Sequence, residues 1–268
     1  MSVSKKFVAA LLALAMVLCF ALVGCKDNNQ TSSNEMKLIK EGTLTVGSDC
    51  DYPPFIWLDG NKLEGFEYEL MEALAADMGL KLEYLGPQNF DTLIASVASG
   101  SRMDISVSSI TITPERAQEV DFCTPYFDSN QACVVKGSSS YTSARDLEGL
   151  VVGAQAGTTG EAWAIEHLPN ITMKPYNQTS EGLVALQAGE IEALFFDAPI
   201  AEYQIANDYS DMRIAEVIPT SEQYGFAVNK DNPLLKDAVN ASLKNLIDNG
   251  TYERIFKKYF PNLEPTIH

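Results

Sequence analysis

Residues 93–108 (LIASVASGSRMDISVS) and residues 183–196 (LVALQAGEIEALFF) carry one device twice. The helix face of Phe90, Leu93, Ile94 and Val97 stops at Gly100, and the strand Asp104–Ser108 follows after three residues. The helix Glu181–Ala188 stops at Gly189, and the strand Ile191–Phe196 follows. Glycine ends a helix because it enters the left-handed conformation without a Cβ clash. Each strand then runs into polar residues and a new helix, at Ser109–Thr111 in one case and at Asp197-Ala198-Pro199 in the other. A helix leading back to a strand in the same direction is a crossover, so the pattern demands a parallel sheet with covering helices.

Working outward, Leu44 and Val46 alternate on a first strand. Leu70, Met71, Leu74, Ala75 and Met78 make a helix face ended by Gly79, and Leu80, Leu82 and Tyr84 lie on the next strand. With residues 93–108 this is a βαβαβ run. After Val134-Val135 and the loop Gly137–Ser140, a second run supplies the strand Val151–Ala154, the helix Gly160–His167 and the strand Ile171–Tyr176. The halves read as two copies of one α/β architecture. A strand Tyr224–Val228, a helix Pro233–Asp248 and a last helix Tyr252–Tyr259 remain, with no third half to join. They are expected to return to the first copy. Residues 37–129 and 222–268 then form lobe 1, residues 130–221 form lobe 2, and two crossings make a hinge beside an interlobe cleft.

Ligands of open α/β sheets sit beyond the carboxyl ends of the strands. Those ends here are Gly47–Phe55, Ser108–Thr111, Gln155–Thr159 and Asp197. Arg116 follows Thr113, read as an N-cap, and Pro114, read as the first helical residue. A cation in a first turn opposes the helix dipole unless an anion binds there, and Arg grips carboxylates with two parallel bonds. The other reading is a surface Arg turned back to Glu115, Glu119 or Asp121. Gly157-Thr158-Thr159 resembles a helix start with amides open to an anion. Asp197 is either an N-cap before Pro199 or a carboxylate facing Arg116 from the other lobe. Tyr52 and Phe90, with Phe55 and Trp57 behind them, are either ring walls of a site or core.

Lys5 and Lys6 precede an uncharged apolar stretch, Phe7–Val23, as in a secretory signal. Leu22-Val23-Gly24-Cys25 resembles the bacterial lipobox, which implies a signal peptide at residues 1–24, lipidation of Cys25 and a tether over residues 25–36. The chain has 19 basic and 36 acidic side chains, and loss of Lys5 and Lys6 takes its charge from −17 to −19. Such a polyanion argues against nucleic acid and anionic headgroups as partners. Cys50, Cys123 and Cys133 allow at most one disulfide, and Cys123 and Cys133 either pair or stay free. With two histidines in the chain, neither a metal site nor a cofactor is expected.

These stretches, in order, resemble the polar amino-acid-binding family of type II periplasmic solute-binding proteins, the extracytoplasmic receptors of ABC importers. The resemblance rests on Val46–Asp49 with Tyr52–Phe55, Leu63–Leu70, Asp104–Arg116, Gly157–Thr159, Phe196–Pro199, Gln223–Gly225 and Asn249–Tyr252. It implies a two-lobe type II periplasmic-binding-protein fold, each lobe a mostly parallel sheet with flanking helices. It further implies that Arg116 clamps an α-carboxylate with Thr111, Thr158 and Thr159, while Asp197 takes the α-ammonium with Ser108 and Ser109. Tyr52 and Phe90 sandwich the side chain, Asp49 meets its far end, and Gln155 and Phe196 lie nearby. The expected partners are a free polar or basic L-amino acid and an ABC permease. The expected state is a lipid-anchored monomer on the outer face of the cell membrane, periplasmic or on a Gram-positive surface. An enzyme on the same fold, such as a dehydratase or transglycosylase, and a surface antigen or adhesin are the alternatives; no residue cluster supports catalysis.

Overall fold

A computed structural model describes residues 36–267. The expected signal peptide, the expected lipidation site Cys25 and all but the last residue of the expected tether lie outside the described residues. The chain opens with β1 (Thr43–Ser48), then an excursion of three short strands, β2 (Asp51–Tyr52), β3 (Ile56–Asp59) and β4 (Lys62–Glu64), before α1 (Phe66–Asp77). β5 (Lys81–Pro87), α2 (Leu93–Ala98) and β6 (Ile105–Ser106) complete the first run. A single helical turn, α3 (Arg116–Glu119), and β7 (Asp121–Phe122) lead into the long β8 (Phe127–Lys136). The second run is β9 (Val151–Gln155), α4 (Thr159–His167), β10 (Thr172–Tyr176), α5 (Thr179–Ala188), β11 (Ala193–Asp197) and α6 (Ala198–Asn207). β12 (Met212–Tyr224) returns to β13 (Ala227–Val228), α7 (Pro233–Asp248) and α8 (Thr251–Tyr259).

The duplication read from the glycine-stopped helices is present in the strand order. One sheet runs β5-β1-β6-β13-β7 and the other β10-β9-β11-β8-β12. In each, the second, first and third strands of the run are parallel neighbours, and two further strands extend the sheet. The parallel core is thus three strands wide, and in each sheet one antiparallel strand (β13 or β8) separates it from an edge strand (β7 or β12) that runs parallel to the core. β8 and β12 are the strands that pass between the sheets. They pair along most of their length, from Phe127 opposite Tyr224 to Lys136 opposite Met212, with register shifts between Ile214 and Glu216 and between Ile218 and Glu222.

The end of this ribbon nearest the first sheet is embedded in aromatics. Phe55, Phe66, Phe127, Tyr224, Phe256 and Phe260 are all buried. Phe55 meets Phe127 edge-on at 4.7 Å and Tyr126 stacks on Phe226 at 4.2 Å. Aromatic pairs each add about 0.5–1.5 kcal/mol beyond their buried area, so the ribbon is fixed firmly to the first lobe. The second lobe has its own smaller core around Cys133, Val135, Val152, Ala193 and Phe195. Cys50, Cys123 and Cys133 are buried and free, which settles the open pairing of Cys123 and Cys133 in favour of thiols.

One glycine brings α1 against this core. Gly65 has φ 129°, and a Cβ there would lie 2.1 Å from the Phe55 carbonyl oxygen, which accepts the Glu67 N–H at 2.8 Å. Gly65→Ala therefore forces backbone apart as well as straining φ. It is expected to cost more than about 3 kcal/mol in a urea titration, whereas Gly60→Ala, with open space around it, costs about 1 kcal/mol for its positive φ.

Candidate ligand site between the sheets

The site is built from strand ends that face one another. β1 ends at Ser48 and the next residue, Asp49, is buried. Its Oδ1 accepts the Ser108 hydroxyl at 2.5 Å and its Oδ2 accepts Gln155 Nε2 at 2.9 Å. Ser108 follows β6 in the same sheet, while Gln155 ends β9 in the other, so Asp49 ties three strand ends across the cleft. Gln155 is held by Thr179, whose hydroxyl donates to Oε1 at 3.2 Å, and it donates again to the Asn177 carbonyl at 3.0 Å. Burial raises the Asp49 pKa although these bonds favour its charge.

Asp197 closes β11 and stands at the cap position of α6. Its side chain makes no cap bond, contrary to the simple N-cap reading. It points into the cleft, where it accepts the Tyr52 hydroxyl, Gln131 Nε2 at 3.1 Å and the Ser129 hydroxyl at 3.3 Å. Pro199 at the helix start makes a side-chain cap less necessary, since proline has no N–H to satisfy. Burial, and then the nearby charge of Glu222, push Asp197 up to about 6.

Arg116 does not turn back to Glu115, Glu119 or Asp121. One guanidinium nitrogen donates to the Thr111 carbonyl at 2.7 Å and the other to the Gly157 carbonyl of the opposite lobe at 2.9 Å. The guanidinium carbon lies 5.5 Å from the centre of the Phe90 ring. Among the described residues no carboxylate lies within 4.0 Å of it. The Thr113 hydroxyl accepts the Arg116 N–H at 3.2 Å, but the helix begins at Arg116 with Glu115 at its cap position, so neither Thr113 as cap nor Pro114 as first helical residue holds. The helix behind it has only four residues, Arg116–Glu119, so its dipole is too small to carry the conflict that first singled out Arg116.

The remaining residues complete a ring. Ser109 holds φ 47° and directs both its N–H and its hydroxyl to Glu67 Oε1, at 2.7 and 3.0 Å. Thr158 caps α4 by accepting the Glu161 N–H at 3.2 Å. Thr111 and Thr159 meet across the cleft at 3.4 Å. Asp49, Tyr52, Phe90, Ser108, Ser109, Thr111, Arg116, Thr158, Thr159 and Asp197 all line one narrow pocket with Gln155. Phe196, which precedes Asp197 on β11, is absent from that lining.

Four supporting residues were not anticipated. Glu222 Oε2 accepts Thr111, Thr159 and Gln131 at 2.8, 2.9 and 3.0 Å. Gln131 and Ser129 reach Asp197 from β8. Glu67, fully buried, braces Ser109 and accepts the Tyr126 hydroxyl. Alternation offers a signal for two of them only: Ser129 and Gln131 are two apart on β8 and share a strand face.

Burial is the largest influence on Glu67, which it pushes up to about 7, as it pushes Asp197 to about 6. A carboxyl whose folded pKa lies above its unfolded value contributes stability that is complete below the unfolded pKa and lost as pH rises through the folded one. The ligand-free protein should therefore melt higher at pH 5 than at pH 8. Glu67→Gln should flatten the part of that slope between about pH 4.5 and 7, which differential scanning calorimetry would read directly.

Residues 44–262 match the model of the bacterial extracellular solute-binding proteins, family 3. The chain belongs to this family. It is 34% identical over 257 residues to the arginine-binding extracellular protein ArtP of Bacillus subtilis, covering 93% of this chain and 96% of the relative. It is 32% identical to the L-cystine-binding protein TcyJ of Escherichia coli, over 92% of this chain and 94% of that protein. A solved structure described as an ancestral arginine-binding protein bound to arginine superposes with a TM-score of 0.78 at 36% identity, covering 84% of this chain and all of that one. The two-lobe type II periplasmic-binding-protein fold expected from the resemblance is therefore the fold of this family member.

Proposed function

We propose that the protein is the amino-acid receptor of an ABC importer, closing its two lobes on one free L-amino acid with a polar or basic side chain. One observation carries this reading. Arg116 and Asp197 bring opposite charges to one pocket from opposite sheets, and they do not pair with each other. A zwitterion satisfies both, its carboxylate at Arg116 with Thr111, Thr158 and Thr159, and its ammonium at Asp197 with Ser108 and Ser109. Bridging explains closure, because only the shut form pairs both ligand charges. Tyr52 and Phe90 flank the ligand, and Asp49 with Gln155 meets its side chain. Asp49, Asp197 and Glu222 outnumber Arg116, which favours a cationic side chain over a neutral one of similar size. Named relatives that bind arginine support the same choice, and the cystine-binding relative shows how far side chains vary within the family.

In this reading residues 37–129 with 222–268 and residues 130–221 move as two bodies about β8 and β12. Cys25 carries the lipid anchor, and the monomer delivers its ligand to a permease on the outer face of the membrane. No chemistry is performed on the ligand, which is released unchanged. Melting the protein with each common L-amino acid tests the class. A rise of several degrees with basic or polar amino acids is expected, and no shift with any of them would remove the reading. The ammonium needs an ionised Asp197, so affinity should fall as pH drops through about 6. That slope is opposite in sign to the stability slope of the ligand-free protein, and titration calorimetry at pH 5 and 7.5 separates the two.

A further inference from the structure

Asp51 makes a contact that the pocket does not explain. It lies on β2, two residues past Asp49, and its Oδ2 accepts the Ser180 N–H at 3.0 Å. Ser180 is the second residue of α5 in the opposite lobe, so a carboxylate of lobe 1 sits on an otherwise unmet amide at the positive end of a ten-residue helix. Neither Asp51 nor Ser180 lines the ligand pocket. The other bonds across the cleft, among them Asp49 to Gln155, Tyr52 to Asp197, Arg116 to Gly157 and Thr111 to Thr159, involve residues that line the pocket or adjoin it.

We infer that Asp51 is a closure residue: its bond to the Ser180 amide forms only when the lobes shut, and it raises affinity for every ligand by one common factor. The inference rests on the receptor reading above. Apparent affinity scales with the free energy of the closed state, so a bond present only in that state multiplies all affinities alike when the ligand-free protein is mostly open. A residue touching the ligand, by contrast, changes the ratio of affinities between ligands. Burial, with the like charges of Asp49 and Glu181 beside it, holds the Asp51 pKa up to about 6, so at neutral pH the carboxylate is ionised and the bond is charge-assisted.

The test uses Asp51→Ala, Asp51→Asn, Ser180→Pro and the Asp51→Ala/Ser180→Pro double variant, with L-arginine and L-glutamine as probes. Proline at this position removes the N–H, and α6 already carries Pro199 at its own second residue. Asp51→Ala and Ser180→Pro should each weaken both probes by about tenfold, with faster dissociation and an unchanged ratio between them. The double variant should be no weaker than either single one, and Asp51→Asn, which keeps an acceptor without the charge, should fall between. Unchanged affinities, additive losses, or a loss confined to one probe would overturn the role. A wild-type protein that binds neither probe would instead overturn the receptor reading, so the two failures are distinct.

Discussion

Asp197→Asn is expected to weaken amino-acid binding at least about a hundredfold at pH 7.5, with the ligand-free melting point unchanged or raised. The amide keeps the shape of the side chain and an acceptor for the Tyr52 hydroxyl. What it loses is the charge that an ammonium needs in a site closed to water. Removing one partner of a buried charge pair costs ~2–5 kcal/mol, mostly because the other charge is left unpaired, and each 1.4 kcal/mol is a factor of ten. Stability moves the other way, since Asp197 is ionised at neutral pH against the cost of burial and of its neighbour Glu222. Titration calorimetry paired with a melting curve reads both effects. Equal affinity in the variant would take the ammonium away from Asp197.

Arg116→Lys should have the next largest effect, a loss of about 30- to 100-fold. Lysine retains the charge but has no planar fork, and Arg116 uses its fork twice. Two of its donors brace the Thr111 and Gly157 carbonyls, which fixes the guanidinium between the lobes, and the face rests on Phe90. The lysine ammonium would have to abandon one carbonyl to reach a carboxylate. The diagnostic quantity is the preference for an amino acid over its decarboxylated amine. That preference should collapse in Arg116→Lys and persist in Asp51→Ala, because one residue contacts the carboxylate and the other acts through α5. A variant that keeps the preference would move the carboxylate elsewhere.

Of the two charges, Asp197 was legible because it stands at a strand end of a duplicated pattern, and Arg116 because it opens the helix that follows the matching strand end. Once residues 93–108 and 183–196 are read as equivalent, Ser108–Thr111 and Asp197 fall at matching points of two sheets. The supporting groups were not legible for a physical reason. Ser129, Gln131 and Glu222 come from the passing strands, and their facing depends on register. β12 shifts register twice, once just before Glu222, and each shift resets which residues look into the cleft. Alternation along a single strand does not predict such a reset. Glu67 was hidden differently, since a glutamate in a first helical turn is ordinarily a solvated partner of the dipole, and only the Ser109 loop gives it a buried role.

Smaller differences have equally local causes. The strands β2, β3 and β4 escaped notice because each has only two to four residues. Yet Gly60-Asn61, between paired Asp59 and Lys62, is the kind of two-residue hairpin turn that sequence can reveal. The excursion matters beyond the fold, because its first strand, β2, carries Asp51 to α5. The helix at Arg116 is a single turn, whose dipole is too small to hold an anion by itself. Flanking carbonyls and the Phe90 ring, rather than a helix end, position the guanidinium.

Whether one zwitterion bridges Arg116 and Asp197 is tested most directly by calorimetric titration of the protein with L-arginine and with agmatine, the same molecule without its carboxylate. L-arginine should bind tightly and agmatine at least about a hundredfold more weakly, because the amine leaves the buried guanidinium unmatched. Agmatine binding as tightly as L-arginine would contradict the bridge.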